Sequence, residues 1–442
     1  MKIQLSDHFT YKKLLRFTLP SIVMMIFTSI YSVIDGFFVS NFAGKTPFAA
    51  VNLIMPFLMI IGSVGFMFGA GGSALIAKTL GEGKKEKANE IFSLIVYTVL
   101  GCGVVFALLG IVFLRPIAVL LGAEGEMLTN CVIYGRIILL ALPAFMLQYA
   151  FQSFFSLAEK PQYGLVVTVA AGLTNIALDA LFVAVFRWGL VGAAAATAFS
   201  QAVGGFVPLF YFFRRNGSLL RLGKTRLDGR ALLHASFNGI SELLSNISFS
   251  FVAILYNAQL MSYAGENGVA AYGVLMYVSM IFSAVFVGYS MGSAPVTGYH
   301  YGAENHAELK SLLRKSLGII SIFSVAMFAL GEGLAYPLTK LFVGYDKALM
   351  ELTLRGFLFF SFSFLFFGIS IYGSSFFTAL NNGPVSALIS FLRTMVFQVA
   401  AVLLLPRIWD IDGIWLSIVA AEVMAVLVTA VLLVLKRKKY HY

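Results

Sequence analysis

The sequence predicts an all-α integral membrane protein. Twelve transmembrane helices form two six-helix bundles related by a pseudo-two-fold axis along the membrane normal. Three observations carry this expectation: composition, long apolar runs and an internal repeat. Of 442 residues, 60% are apolar and only 12% are charged, against about 25% charged in a soluble domain. Such a chain lacks the polar groups to cover a water-exposed surface. A disordered protein, a disulfide scaffold and most soluble enzymes are excluded on that ground.

A helix crosses the hydrocarbon layer with about 20 mostly apolar residues. Runs of that kind occupy 14–40, 50–78, 90–114, 129–157, 161–186, 190–213, 231–263, 269–298, 309–335, 346–379, 384–406 and 413–435. They are long and continuous, whereas barrel strands alternate in short segments. The first run is too long for a signal peptide, contains Asp35 and lacks a small-residue cleavage pattern. Pro20, Pro56, Pro143, Pro208, Pro295 and Pro337 lie in or near spans, where each removes a backbone donor and favours a bend. Cys102 and Cys131 fall at different depths, so no disulfide is expected.

Basic residues orient the spans. With Met1 and Lys2 on the inner side, inner segments hold 22 Lys and Arg, including six in Arg214–Arg230, while outer ends, beginning with Lys45, hold eight. This follows the positive-inside rule, so both termini are expected in the cytoplasm of a cell-membrane protein. The net charge of +11 then records topology and affinity for anionic headgroups, not nucleic-acid binding.

The halves resemble each other at an offset of about 220 residues. Phe68-Gly69 through Gly72-Ser73-Ala74 recurs as Val287-Gly288 through Gly292-Ser293-Ala294. Gly81-Glu82-Gly83 recurs as Gly302-Ala303-Glu304, Tyr134-Gly135 as Arg355-Gly356, and Gly189 to Gly192 as Asp410 to Gly413. Six spans separate each pair, so the repeats share one topology. This divides the chain into an N-lobe (1–213), a basic linker (214–230) and a C-lobe (231–442). Transporters place substrate near the bilayer midplane between such repeats and alternate access by moving them.

Ionisable groups inside spans are costly and point to function. Asp35 ends the first span. Asn175 and Asp179 share a face of the fifth at i, i+4, and Thr197 lies in the sixth. Counting helical rise puts Asp35 and Asp179 both roughly 27–29 Å above the inner face. Together these side chains make a hard oxygen set, suited to Na+ or to a carboxylate pair that takes a proton. An ordinary interfacial pair between Asp179 and Arg187 is the bland alternative. In the C-lobe, Glu242 is flanked on one face by Asn238 and Asn246, with Arg393 at similar depth. Either Glu242 pairs with Arg393, or it faces a cavity and attracts cations; Glu422, at the repeat position of Gln201, is equally open. Tyr31, Gln148, Gln152, Gln201, Glu242 and Asn246 are the candidate cavity residues. The 43 Phe, 19 Tyr and 16 Met supply adaptable apolar surface of the kind promiscuous sites use.

Enzyme chemistry has no support. The five histidines form no catalytic pattern, and HExxH, GxSxG and Walker A are absent. Without an ATP site, uphill transport draws on an ion gradient, and no cofactor beyond the coupling ion is expected.

These features resemble the MATE (multidrug and toxic compound extrusion) family, in particular its MepA-like bacterial branch. The resemblance rests on Leu14–Pro20, Ile34-Asp35-Gly36-Phe37-Phe38-Val39, Gly71-Gly72-Ser73-Ala74, and Asn175-x3-Asp179 followed eighteen residues later by Thr197. It implies that Asp35, Asn175, Asp179 and Thr197 form an N-lobe cation site, a Na+ site if coupling is to Na+, joined by a main-chain oxygen of Ala193. It also implies Na+- or H+-coupled export of bulky organic cations by a monomer. One branch of the family adds a carboxylate in the tenth span; this chain has Ser370, Tyr372 and Ser374 there. A lipid-linked oligosaccharide flippase of the same superfamily is the alternative. It would be expected to carry a cationic cavity, whereas the N-half bias here is acidic.

Overall fold

The computed structural model describes residues 3–442. Met1 and Lys2, placed above on the inner side, lie outside the described residues, as does the side chain of Lys45. Among the described residues every regular element is helical. In order these are α1 (Tyr11–Phe38), α2 (Lys45–Gly81), α3 (Lys85–Leu120), the bent α4 (Gly125–Leu140 and Leu142–Leu157), α5 (Pro161–Asp179) and α6 (Gly189–Phe213). One continuous helical assignment, Gly229–Gly302, breaks at Gly265 (φ 62°, ψ −150°) into α7 (229–264) and α8 (266–302). There follow α9 (His306–Val343), the bent α10 (Lys347–Ser361 and Phe364–Ala379), α11 (Gly383–Phe391 and Phe397–Leu404) and α12 (Pro406–Tyr440). With each bent pair taken as one span and the break at Gly265 as a boundary, the twelve apolar runs become twelve helices long enough to cross a membrane.

Local chemistry explains the interruptions. α4 bends by 56° where Pro143 enters its second segment, because proline cannot donate to the preceding turn. α10 bends by 49° without a proline; there the Ser363 hydroxyl donates to the Phe360 carbonyl at 2.6 Å and competes with the backbone ladder. The backbone angles of Gly265 belong to a region that only glycine enters cheaply. Pro20 leaves α1 unbroken from Tyr11 to Phe38. Both cysteines are free thiols.

The repeat is written in the backbone as well as in the sequence. Left-handed residues fall at Gly44 and Gly265, Gly83 and Glu304, Glu159 and Asn381, and Arg187 and Asp410, each pair 221–223 residues apart. The two bent helices are likewise the fourth of each half.

The halves meet through glycines on the side that carries both termini, here the terminal face. A β-carbon at Gly71 would lie 2.0 Å from the Ala235 carbonyl oxygen, and one at Gly239 would lie 1.9 Å from that of Met67. Gly288 and Gly292 of α8 approach the α1 backbone at Ile22 and Thr18 in the same way. At the helix ends, a β-carbon at Gly81 would meet the Tyr299 oxygen at 2.0 Å, and one at Gly302 would meet that of Lys78 at 2.0 Å. Asn381 Nδ2 donates across the interface to the Ala74 carbonyl at 3.1 Å. The lobes are therefore in backbone contact there, and small residues make that possible.

Two straps reinforce this face. The segment before α1 buries Leu5 and Phe9 completely. The Leu5 N–H donates to Glu159 Oε1 of the N-lobe at 2.8 Å, and the Phe9 N–H to Glu308 Oε1 of the C-lobe at 2.9 Å. His8 Nδ1 lies 2.6 Å from Glu308 Oε2. The 214–230 connector is pinned along α3: the Arg221 N–H donates to Asn89 Oδ1 at 2.8 Å and the Gly223 N–H to Ser93 Oγ at 3.0 Å. Glu308→Ala strands the buried Phe9 N–H, and a lost buried partner costs about 1–3 kcal/mol. A lower Tm in a fluorimetric melt of purified protein is the expected result; an unchanged Tm would show that the strap adds nothing to stability.

Candidate ion and substrate sites

In the N-lobe, three helices converge on one carboxylate. Asp35 of α1 has Asp179 and Asn175 of α5 and Thr197 of α6 as side-chain neighbours, with Thr197 Oγ1 3.5 Å from Asp35 Oδ1. Asp179 is fully buried and Asn175 nearly so, whereas Asp35 is only partly covered. The bland reading of Asp179 fails, since it is not at the surface and forms no ion pair with Arg187 among the described residues. Asp179 Oδ1 and Oδ2 and Asn175 Oδ1 receive no hydrogen bond. Three acceptor oxygens without a donor, beside a second carboxylate, are costly in a low-dielectric interior. A bound cation or a shared proton relieves that cost. Ala193 lies one turn before Thr197 on α6, and its side chain is buried.

The backbone changes at these positions. α1 passes directly into a wide π-turn at Val39–Ala43, and α5 into another at Ala180–Val185, immediately after Asp179. π-turns of this kind concentrate at functional sites. Sequence reasoning missed them, and it missed Tyr134 of α4. That tyrosine is buried, and its ring reaches the neighbourhood of Thr197, Asp35 and Asp179. Its only sequence signal was membership of the Tyr134-Gly135 repeat match.

The remaining candidates divide between the lobes. Tyr31 and Gln148 are side-chain neighbours. Gly172 makes room for the Tyr31 ring, which a β-carbon there would approach to 2.8 Å, and Gly204 makes room for Gln148. Gln152 and Gln201 are buried, each with an Oε1 that no donor reaches. Glu242 and Asn246 line a C-lobe cavity of about 380 Å³ together with Phe249, Tyr272, Arg393 and Glu422. Of the two readings for Glu242, the pairing with Arg393 is not formed. Arg393 Nε instead lies 2.9 Å from both oxygens of the buried Glu422. The physical reason is that equal depth does not set the face a residue presents: Arg393, on a third π-turn at Leu392–Val396 within α11, faces Glu422 of α12. Glu242 also lines a smaller cavity of about 80 Å³ whose walls include Phe66 and Ser153 of the N-lobe. It thus stands where the C-lobe cavity meets the space between lobes. The N-lobe donor set is one of hard oxygens, from two carboxylates, an amide and a hydroxyl; among the described residues no group of three or more His, Cys, Asp or Glu gathers as a metal site.

A polytopic helical membrane protein of two like halves, each holding charged groups inside the membrane, is the class this architecture defines. The MatE family model matches residues 20–181 and 243–403, one stretch in each half, and the chain belongs to that family. Multidrug export protein MepA of Staphylococcus aureus (strain MRSA252) is 22% identical over 436 residues, covering 97% of this chain and 94% of that protein. The MepA protein of Staphylococcus saprophyticus is 24% identical over the same coverage. An outward-facing multidrug resistance MATE family transporter of the MOP superfamily superposes with a TM-score of 0.93 at 22% identity, covering 98% of this chain and 97% of that one.

Proposed function

We propose that this chain is a secondary active multidrug efflux antiporter of the cell membrane, exporting organic cations in exchange for Na+ or H+ by alternating access. The observation that carries this reading is the N-lobe cluster, in which Asp179 and Asn175 present donorless oxygens beside Asp35. Family membership and the names of the MepA relatives support it. The terminal face, with its basic connector, lies in the cytoplasm.

Each residue has a task in this scheme. Asp35, less covered than Asp179, receives the coupling ion from the outer side, and Thr197 and Asn175 complete an oxygen shell around it, with the Ala193 carbonyl assigned by family resemblance. Neutralising the paired carboxylates removes their mutual repulsion, which draws α1 toward α5 and α6. α1, unbroken through Pro20 here, bends at that residue in response and narrows the lobe, so drug leaves outward. Ion release toward the cytoplasm returns the lobe to the state that accepts a new cation. Glu242 supplies the carboxylate that meets the drug's positive charge, with Tyr31, Gln148, Gln152, Gln201 and Asn246 as polar contacts along the way. A one-for-one exchange of a monovalent organic cation for Na+ or H+ moves no net charge, so the coupling ion's concentration gradient supplies the work. A tenfold gradient is worth about 1.4 kcal/mol and supports about tenfold accumulation of the drug. The acidic N-lobe disfavours the flippase reading, because a lipid pyrophosphate needs a cationic cavity.

Everted vesicles loaded with the full chain test this directly. Uptake of ethidium should follow an imposed Na+ gradient or an imposed pH gradient, and whichever gradient drives it identifies the coupling ion. Uptake driven by neither gradient would overturn the antiport reading.

A further inference from the structure

The C-lobe cavity holds two carboxylates and one guanidinium, and they are unequally matched. Arg393 engages both oxygens of Glu422 through Nε at 2.9 Å, and its guanidinium lies 5.5 Å from the centre of the Phe367 ring. Glu422 is fully buried. Glu242 lines the same cavity and forms no ion pair among the described residues. Two carboxylates against one guanidinium leave the Glu242 carboxyl without a cationic partner. Arginine keeps its charge in any protein setting, so the cancellation of Glu422 is permanent. Around the unmatched carboxylate stand the rings of Phe249, Tyr272 and Phe367, surfaces on which a flat cation stacks.

We propose that the Arg393–Glu422 pair is the charge selector of this cavity: by cancelling one of two carboxylates it tunes the site to monovalent aromatic cations and against dications. The proposal rests on the efflux reading above and adds the substrate's charge to it. The selection follows from burial. In a low-dielectric pocket each unmatched charge interacts far more strongly than in water. A monocation therefore leaves a neutral site, whereas a dication leaves one positive charge without a partner. The pair also explains why an arginine is tolerated in a site for cations, since it adds no net positive charge while Glu422 is present.

Ethidium and propidium test this, because they share one phenanthridinium ring and carry one and two positive charges. Binding of each to the purified full-length chain is read by fluorescence anisotropy, independently of any ion gradient. Wild-type protein should favour ethidium. Glu422→Gln leaves Arg393 to cancel Glu242, and ethidium affinity should fall by about tenfold or more. Adding Arg393→Gln to that variant restores one uncompensated carboxylate and should restore ethidium binding and its preference over propidium. A merely structural pair would also recover when both partners are removed. The selector is told apart by Arg393→Gln alone, which leaves two unmatched carboxylates and should shift the preference toward propidium. A double variant that binds as poorly as Glu422→Gln would overturn the proposal. So would ethidium binding in Glu422→Gln equal to wild type. If the single variant does not fold, the double variant still decides, since loss of the ethidium preference in a folded double variant also overturns it. Wild-type vesicles that move neither dye would defeat the efflux reading itself; the binding comparison stands apart from that result.

Discussion

Asp35→Asn is expected to abolish ion-coupled efflux while the fold survives. The substitution keeps the shape of the side chain, so the contacts with Asn175, Asp179 and Thr197 remain sterically possible. What changes is charge. The new amide donates a hydrogen bond to Asp179, whose oxygens otherwise lack a donor, and thereby does permanently what the coupling ion does reversibly. The lobe is then held in its neutralised state and the cycle stalls. A loss of roughly 100-fold in gradient-driven dye transport is expected, equivalent to ~2.7 kcal/mol of differential stabilisation. Thr197→Val removes one neutral ligand and should cost less, about tenfold. Both are measured as initial rates in everted vesicles, normalised to protein in the membrane. Undiminished coupled efflux by Asp35→Asn would remove Asp35 from the coupling site.

Gly239→Val is expected to be as damaging for a different reason. Its β-carbon would lie 1.9 Å from the Met67 carbonyl oxygen and its neighbourhood includes the Gly71 nitrogen, all of it backbone. No flexible side chain can move aside, so α2 and α7 must separate. The terminal face then stays open, and transport that requires it to close fails. Ser153, buried beside Glu242, serves as the reporter. In a protein with Cys102 and Cys131 replaced by alanine, a cysteine at Ser153 should react slowly with maleimide added from the terminal face. Gly239→Val should accelerate that reaction by at least about tenfold, the ratio expected if ~1.4 kcal/mol of closure is lost. Gly101→Val is the matched control, because nothing lies within 4 Å of a β-carbon there. Equal labelling in the two variants would show that the glycine contact does not govern closure.

Much of this was legible in the sequence because it depends on quantities that a linear count preserves. Run length gives the spans, and the i, i+4 spacing of Asn175 and Asp179 gives a shared face. Rise per residue brings Asp35 to the depth of Asp179. The count fails where azimuth matters. Glu242 and Arg393 were matched by depth, but depth does not fix which way a side chain faces. Arg393 stands at the second position of the π-turn Leu392–Val396 and meets Glu422 instead. No residue type announces such a turn, so composition and spacing cannot reveal it. The segment before α1 was opaque for another reason. Ile3, Leu5 and Phe9 are scattered apolar residues in an otherwise polar stretch, and only the fold shows that Leu5 and Phe9 are fully covered.

The contact between Gly81 and Gly302 has a further meaning. Gly81 faces the carbonyl of Tyr299, three positions before Gly302, and Gly302 faces that of Lys78, three positions before Gly81. The exchange is reciprocal, as it is at the isologous interface of a two-fold homodimer. Each half thus presents to the other the patch that a two-fold dimer presents to itself, with both halves inserted in the same sense. Joined in one chain, however, the halves need not be identical. One carries an acidic pair and the other an arginine held by glutamate, a division of labour that no symmetric dimer can make.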